Sequence, residues 1–138
     1  MKNELIKIRR ALELLQENSF LFKNFPNGCC GSSCYLIATY LEEKGLGTFD
    51  YIWGQKENAL ETHAWLLSKG EQYIIDLTAD QFDCEPIIYL KGEHPLSSIF
   101  NQQSNLGNAS IQTGSSVDST YYFEYERFKN LLSKLDEE

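Results

Sequence analysis

The side chains best suited to chemistry in this chain are clustered cysteines, one histidine and one aspartate. Cys29 and Cys30 are adjacent, Cys34 follows within about one helical turn, and His63 and Asp76 come later in the chain. A thiolate is a strong nucleophile, an imidazole can accept and return its proton, and a carboxylate can orient that imidazole. The order Cys, His, Asp therefore predicts nucleophilic catalysis by a thiol.

Cys30 is expected at the start of a helix. The turn sequence Phe-Pro-Asn-Gly at 25–28 precedes it, and apolar residues at helical spacing continue to about Lys44, where glycines follow. The positive end of the helix dipole lowers the pKa of a thiol, and the free N–H groups there can hold an oxyanion. We therefore expect Cys30 to be the nucleophile and Cys34 a small buried apolar side chain. Cys29 is expected to be a neighbour of the site, although the doubled cysteine leaves it as the alternative nucleophile.

His63 and Asp76 are expected on the two strands of one hairpin. Apolar alternation predicts strands at 63–67 and 72–77 with a turn at 69–70. A two-residue turn there would place His63 directly opposite Asp76, with Cβ atoms about 4.5–5.5 Å apart. The carboxylate could then fix the tautomer of the imidazole and favour its charged form.

Other residues compete for places in this site. Asp80 could replace Asp76, although the turn does not place it opposite the histidine. Trp65 shares a strand face with His63, so it would either wall the site or pack in the core. The second histidine, His94, precedes a proline in a loop-like segment and is expected at the surface.

The thiols could instead bind a metal. Structural zinc sites usually combine two closely spaced pairs of ligands. The one candidate set in this chain has a single close pair and comprises Cys30, Cys34, His63 and Cys84. We therefore expect no metal and no cofactor.

Three segments within Phe25–Phe82 resemble the papain-like cysteine hydrolases. They are FPNGCCG at 25–31, THAWL at 62–66 and IIDLTADQF at 74–82. The resemblance is greatest to the transglutaminase-like branch and to small bacterial papain-fold toxin or effector domains. It implies a nucleophilic cysteine opening a central helix, with histidine and aspartate on adjacent strands.

Carried onto this chain, the resemblance implies Cys30 as nucleophile, His63 as base and Asp76 as orienting residue. The substrate would be an amide in a protein or peptide: a peptide bond, an isopeptide bond or a glutamine side chain. Papain-type enzymes also place a glutamine before the nucleophile as an oxyanion donor. The nearest counterpart is Asn24, for which ordinary turn chemistry is the alternative.

The whole chain is expected to form one α+β domain, with a Cys-bearing helix and an N-terminal helix packed on a small antiparallel sheet. The domain would span 1–138, with its core at about 20–92 and a long polar loop at 101–116 that is either a lid or a connector. The remaining elements predicted by periodicity are helices at 4–17 and 125–135, and strands at 50–53, 86–90 and 121–123.

Composition restricts the classes of partner. The net charge of −8 argues against a nucleic-acid binder and against docking on anionic lipid. No apolar run approaches the ~18 residues of a membrane span, and no signal-peptide pattern begins the chain. We therefore expect a cytosolic protein, or one exported without a classical signal peptide. The alternative to an enzyme is an inert acidic protein that docks on a basic partner.

Overall fold

The computed structural model describes residues 1–111 and 119–137, and its α+β architecture confirms the predicted fold class. The described residues form α1 (Lys2–Leu15), α2 (Cys30–Glu43), β1 (Phe49–Gln55), β2 (Thr62–Ser68), β3 (Tyr73–Asp76), β4 (Ile88–Lys91), β5 (Gln102–Asn108) and α3 (Ser119–Asp136). A short 3-10 helix, Ala79–Phe82, follows β3. In this described part of the chain, no helix is both long enough and apolar enough to cross a membrane.

The five strands form one antiparallel sheet in the order β4-β3-β2-β1-β5. Strands β1 to β4 follow one another as a meander, and β5 returns to pair with β1. Because side chains alternate along each strand, the sheet has two differently covered faces. The first face carries Ala64, Leu66 and Ile75, and the second carries Ile52, Trp65 and Ile74.

The three helices contribute to the core on the first face. In α1 the residues Leu5, Ile8, Leu12 and Leu15 are all fully or almost fully buried. This is the stripe that the helical spacing predicts, and burying each such side chain is worth roughly 1.5–3 kcal/mol. Helix α2 packs on β1 and β2, and its first residue, Cys30, lies partly buried against this core.

The second face is covered by the segment between β4 and β5, which contributes Leu96 and Phe100. Gly54 in β1 lets this segment approach closely. A Cβ at position 54 would lie 2.9 Å from Phe100 Cβ and 3.1 Å from the Phe100 carbonyl oxygen. The backbone after β4 is therefore in close contact with β1 at this point, and the short 3-10 helix adds Ala79 and Phe82 to the cover of the second face.

Two predicted features of the C-terminal region are wrong. The loop predicted at 101–116 contains β5 over Gln102–Asn108, because pairing with β1 overrides the low strand propensity of Gln, Asn, Ser and Gly. Residues 112–116 lie outside the described residues. The strand predicted at 121–123 belongs to α3, which begins earlier than the predicted closing helix at 125–135. Burial of Tyr125, Phe128 and Leu132 at helical spacing outweighs the strand preference of the preceding aromatic residues.

Candidate active site

Cys30 is the first residue of α2, and its thiol is partly exposed. Burial disfavours the Cys30 thiolate, but interactions with His63 and with the N–H groups of Ala64 and Gly31 outweigh this and lower the pKa. The thiol with the depressed pKa is thus the one at the helix N-terminus, as the sequence predicts.

The two neighbouring thiols differ sharply from Cys30. Cys29 is buried, and its Sγ donates to the carbonyl oxygens of Leu21 and Asn27 at 3.4 and 3.3 Å. Burial, with the proximity of Cys30, raises the pKa of Cys29 to about 11. Cys34 is buried one turn into the helix, and burial raises its pKa well above the usual range. Both thiols therefore stay protonated near neutral pH.

His63 and Asp76 meet on the second face of the sheet, where His63 Nε2 lies 2.6 Å from Asp76 Oδ2. The predicted register is wrong: Leu66 pairs with Ile75, not with Tyr73, because the turn has four residues instead of two. A shift of two residues preserves the face of every side chain. The two groups are therefore diagonal neighbours, and the long imidazole reaches the carboxylate.

The hydrogen bonds of His63 define its tautomer. A carboxylate can only accept a hydrogen bond, so the proton of the bond to Asp76 is carried by His63 Nε2. The other nitrogen, Nδ1, is buried and forms no hydrogen bond of regular geometry to any described residue. Because the ring also interacts with the Cys30 thiol, Nδ1 is the nitrogen available to it. Burial lowers the pKa of His63, but Asp76 and Cys30 outweigh it and raise the pKa to about 9.

Asp76 is buried and accepts hydrogen bonds on both carboxylate oxygens. Oδ2 accepts from His63 and also from His94 Nε2 at 2.8 Å, while Oδ1 accepts from the Thr78 N–H at 2.9 Å and the Thr78 hydroxyl at 3.3 Å. Burial raises the pKa of Asp76, but these two histidines overcome it and lower the pKa to about 2. The carboxylate is therefore charged and fixed in orientation.

The placement of His94 contradicts its predicted surface position. Its side chain is buried, and its ring packs on Trp65 with centroids 4.5 Å apart. A buried carboxylate requires donors, and His94 supplies one from the segment that closes the second face. The sequence carries one weak signal for this: Leu96 and Phe100, apolar residues that anchor the same segment, follow His94 closely.

Aromatic side chains surround the His63 ring on the second face. The rings of Trp65, Phe82 and Phe100 lie 5.8, 4.8 and 5.6 Å from it, centroid to centroid. Trp65 is itself buried and borders a cleft of about 650 Å³ that His94 also lines and Cys30 does not. Trp65 therefore backs the imidazole, and its role as a wall for substrate stays a prediction.

Two other candidate residues, Asp80 and Asn24, make contacts that differ from those predicted for the site. Asp80 is the partner of Arg9, whose guanidinium donates to both of its carboxylate oxygens at 2.9 and 2.8 Å. The same guanidinium donates to the Leu77 carbonyl, so this pair ties α1 to the end of β3. Asn24 is exposed in the loop before α2, where its carbonyl accepts from the Asn27 N–H. Its oxyanion role stays a prediction.

The grouping of His63, Asp76 and His94 is close enough to suggest a metal, since one ligand atom from each lies within 4.8 Å of the others. The hydrogen bonds fit that interpretation poorly. His94 Nδ1 accepts a hydrogen bond from the Leu96 N–H at 2.8 Å, so the ring proton is on Nε2. The Nε2–H group donates a hydrogen bond to Asp76. A nitrogen that carries a proton cannot be a ligand. Within residues 1–111 and 119–137, the cysteine-rich zinc set considered above is not grouped.

Comparison of the chain with family models, with curated proteins and with solved structures gave no match. Inference of function therefore starts from the geometry of the site itself.

Proposed function

We propose that this protein is a cysteine-dependent acyl-transfer enzyme of the papain/transglutaminase-like type, which hydrolyses an amide through a thioester. Cys30 is the nucleophile, His63 the general base and Asp76 the residue that orients His63. One observation carries the proposal: the imidazole commits Nε2 to a buried carboxylate and leaves Nδ1 without a regular partner beside a thiol of lowered pKa.

The first half of the reaction forms a thioester. The Cys30 thiol gives its proton to His63 Nδ1, and the sulfur attacks the carbonyl carbon of the substrate amide. The tetrahedral oxyanion then collapses, the C–N bond breaks, and His63 Nδ1–H protonates the departing amine or ammonia. In the second half His63 deprotonates a water that attacks the thioester, which releases the carboxylic acid and returns the proton to sulfur.

The N-terminus of α2 supplies donors for the oxyanion. The first N–H groups of a helix have no intrahelical acceptor, and here Ser33 is the first residue of α2 whose N–H bonds back, to Cys29 O at 2.8 Å. Position 31, next to the nucleophile, has room only for glycine, because a Cβ there would lie 2.8 Å from the Tyr51 hydroxyl. A side chain at position 31 would therefore have to displace that hydroxyl.

The proposal predicts selective modification of Cys30 at mildly acidic pH. Iodoacetamide at pH 6, followed by intact-mass and peptide analysis, should label Cys30 at least ~10-fold faster than Cys84. Cys84 is a partly exposed thiol whose pKa is raised by burial and by nearby carboxylates, so it serves as an internal control. Cys30→Ala should remove the fast phase and Cys34→Ala should keep it. Equal rates at Cys30 and Cys84 would contradict the mechanism and favour the inert acidic binding protein.

The type of amide is tested with two substrates. Release of ammonia from a glutamine-containing peptide would indicate deamidation. Release of lysine from a γ-glutamyl isopeptide would indicate isopeptidase chemistry. Either activity should disappear in Cys30→Ala while the circular dichroism spectrum stays unchanged.

A further inference from the structure

We infer that His94 is a positioning residue of the same site, which acts on His63 through the shared oxygen of Asp76. The inference deepens the proposed function and rests on it. Both imidazoles approach one atom, Asp76 Oδ2, at 2.6 Å from His63 and 2.8 Å from His94. Their ring centroids are 6.1 Å apart.

The two histidines differ in what their second nitrogen does. His94 Nδ1 accepts the Leu96 N–H, so its ring proton is held on Nε2 and always points at Asp76. His63 Nδ1 has no such donor and is left to exchange a proton with Cys30. One histidine thus has its tautomer fixed by a backbone donor and the other has not, on the same carboxylate oxygen.

Sharing the oxygen moderates the pull of Asp76 on His63. A carboxylate that has two donors on one oxygen gives less of its charge to each of them. Without the second donor, the buried charge of Asp76 would be compensated chiefly by His63, which would hold its proton more tightly. The fixed bond to His94 also prevents the carboxylate from turning away, since Thr78 holds the other oxygen.

Apart from each other and His94, the titratable groups found to interact with His63 and Asp76 within residues 1–111 and 119–137 are thiols. Strand β1 presents Gly54 opposite His63. These thiols are Cys30 and Cys34 from α2 and Cys84 from the segment after β3. The pKa values of Cys34 and Cys84 are raised, so both thiols are neutral near pH 7, and we expect a pH effect of His94 to act through Asp76.

The test compares His94→Phe with His94→Gln in the full chain. Phe keeps a ring against Trp65 and removes the donor, whereas Gln keeps an N–H at the position of Nε2. The rate of Cys30 alkylation is measured from pH 4 to pH 10. We expect the midpoint for thiolate formation to move down by about one pH unit in His94→Phe and to stay near the wild-type value in His94→Gln. A midpoint that is unchanged or higher in His94→Phe would overturn the inference.

A second measurement uses the wild-type protein and does not depend on either variant folding. Long-range 1H–15N spectra of the imidazoles should show the neutral His94 ring as its Nε2–H tautomer. Its Nε2 signal should follow the titration of the Cys30–His63 pair and should change its midpoint in Cys30→Ala. A His94 Nε2 chemical shift that does not change as the Cys30–His63 pair titrates would overturn the shared-oxygen inference. Failure of the proposed function would appear separately, as slow wild-type labelling of Cys30.

Discussion

Replacing Asp76 with asparagine should reverse the way in which stability depends on pH. The effect is cleanest in a Cys30→Ala background. In the wild type, the lowered pKa of Cys30 and the raised pKa of His63 change the number of bound protons in opposite directions, so their effects on the pH dependence of stability offset each other. Removing the thiol leaves His63 titrating against Asp76 alone.

The magnitude follows from the raised pKa of His63. Burial lowers this pKa, and the interactions with Asp76 and Cys30 raise it from 6.5 to about 9. One pKa unit corresponds to about 1.4 kcal/mol, so the wild-type shift is worth at most about 3.5 kcal/mol. Without Cys30 we expect Asp76 to retain about 2 kcal/mol of this.

The sign differs between the two proteins. A group whose pKa is raised by folding stabilises the fold below its unfolded pKa, and that stability is lost as pH rises through the folded pKa. Cys30→Ala should therefore lose about 2 kcal/mol between pH 6 and pH 9.5. In Cys30→Ala/Asp76→Asn burial acts alone and lowers the pKa of His63 below 6.5, so stability should rise as pH increases towards about 6.5 and then level off.

Urea unfolding followed by tryptophan fluorescence at several pH values measures both proteins. Thiols and tyrosines that titrate near pH 9 contribute equally to the two and cancel in the difference. The difference in the free energy of unfolding should shrink steadily from pH 6 to pH 9.5. Parallel curves would show that Asp76 does not control the charge of His63, and the proposed orienting role would be refuted.

Two further predictions concern the scaffold. Gly54→Ala should lower the free energy of unfolding by about 1–3 kcal/mol because its Cβ would lie 2.9 Å from another side chain and 3.1 Å from a carbonyl oxygen. The matched variant Gly31→Ala should keep its stability, since only the Tyr51 hydroxyl must move, but Cys30 alkylation should become slower. Urea titration and alkylation rates measure both effects. Equal losses of stability in the two variants would contradict the difference in packing between positions 54 and 31. Arg9→Met should lower the free energy of unfolding, measured by thermal unfolding, by about 2 kcal/mol, because the Asp80 carboxylate loses its ion-pair partner. Adding Asp80→Asn should recover part of this, and no recovery would show that the ion pair is not the cause.

Local sequence patterns predict much of the scaffold and one side of the site. The apolar spacing in α1, the turn signal before Cys30 and the alternation in β2 all correspond to observed elements. Period-two alternation also places His63 and Asp76 on one face despite the wrong register, because the error is an even number of residues. The sequence could therefore predict that His63 and Asp76 lie on one face within reach of each other and of Cys30, but it could not predict the distances between them.

Elements that form through contacts with residues far away in the chain could not be predicted from local sequence patterns. Strand β5 has a polar composition and exists through its pairing with β1. The aromatic start of α3 becomes helical because the helix buries its apolar stripe against the core. Strand β1 is distant in the chain from β5, as is most of the core from α3, so local propensities could not predict these contacts.

The sequence by itself determined which thiol begins a helix, which residues alternate onto one strand face, and that the chain forms an α+β fold. Only the tertiary structure decided that His94 is buried on Asp76, that Asp80 belongs to Arg9, and that one histidine nitrogen remains free beside Cys30. The physical reason is desolvation. A charge enclosed by the fold must recruit donors from whichever segment passes nearby, and that segment is set by packing over long distances along the chain.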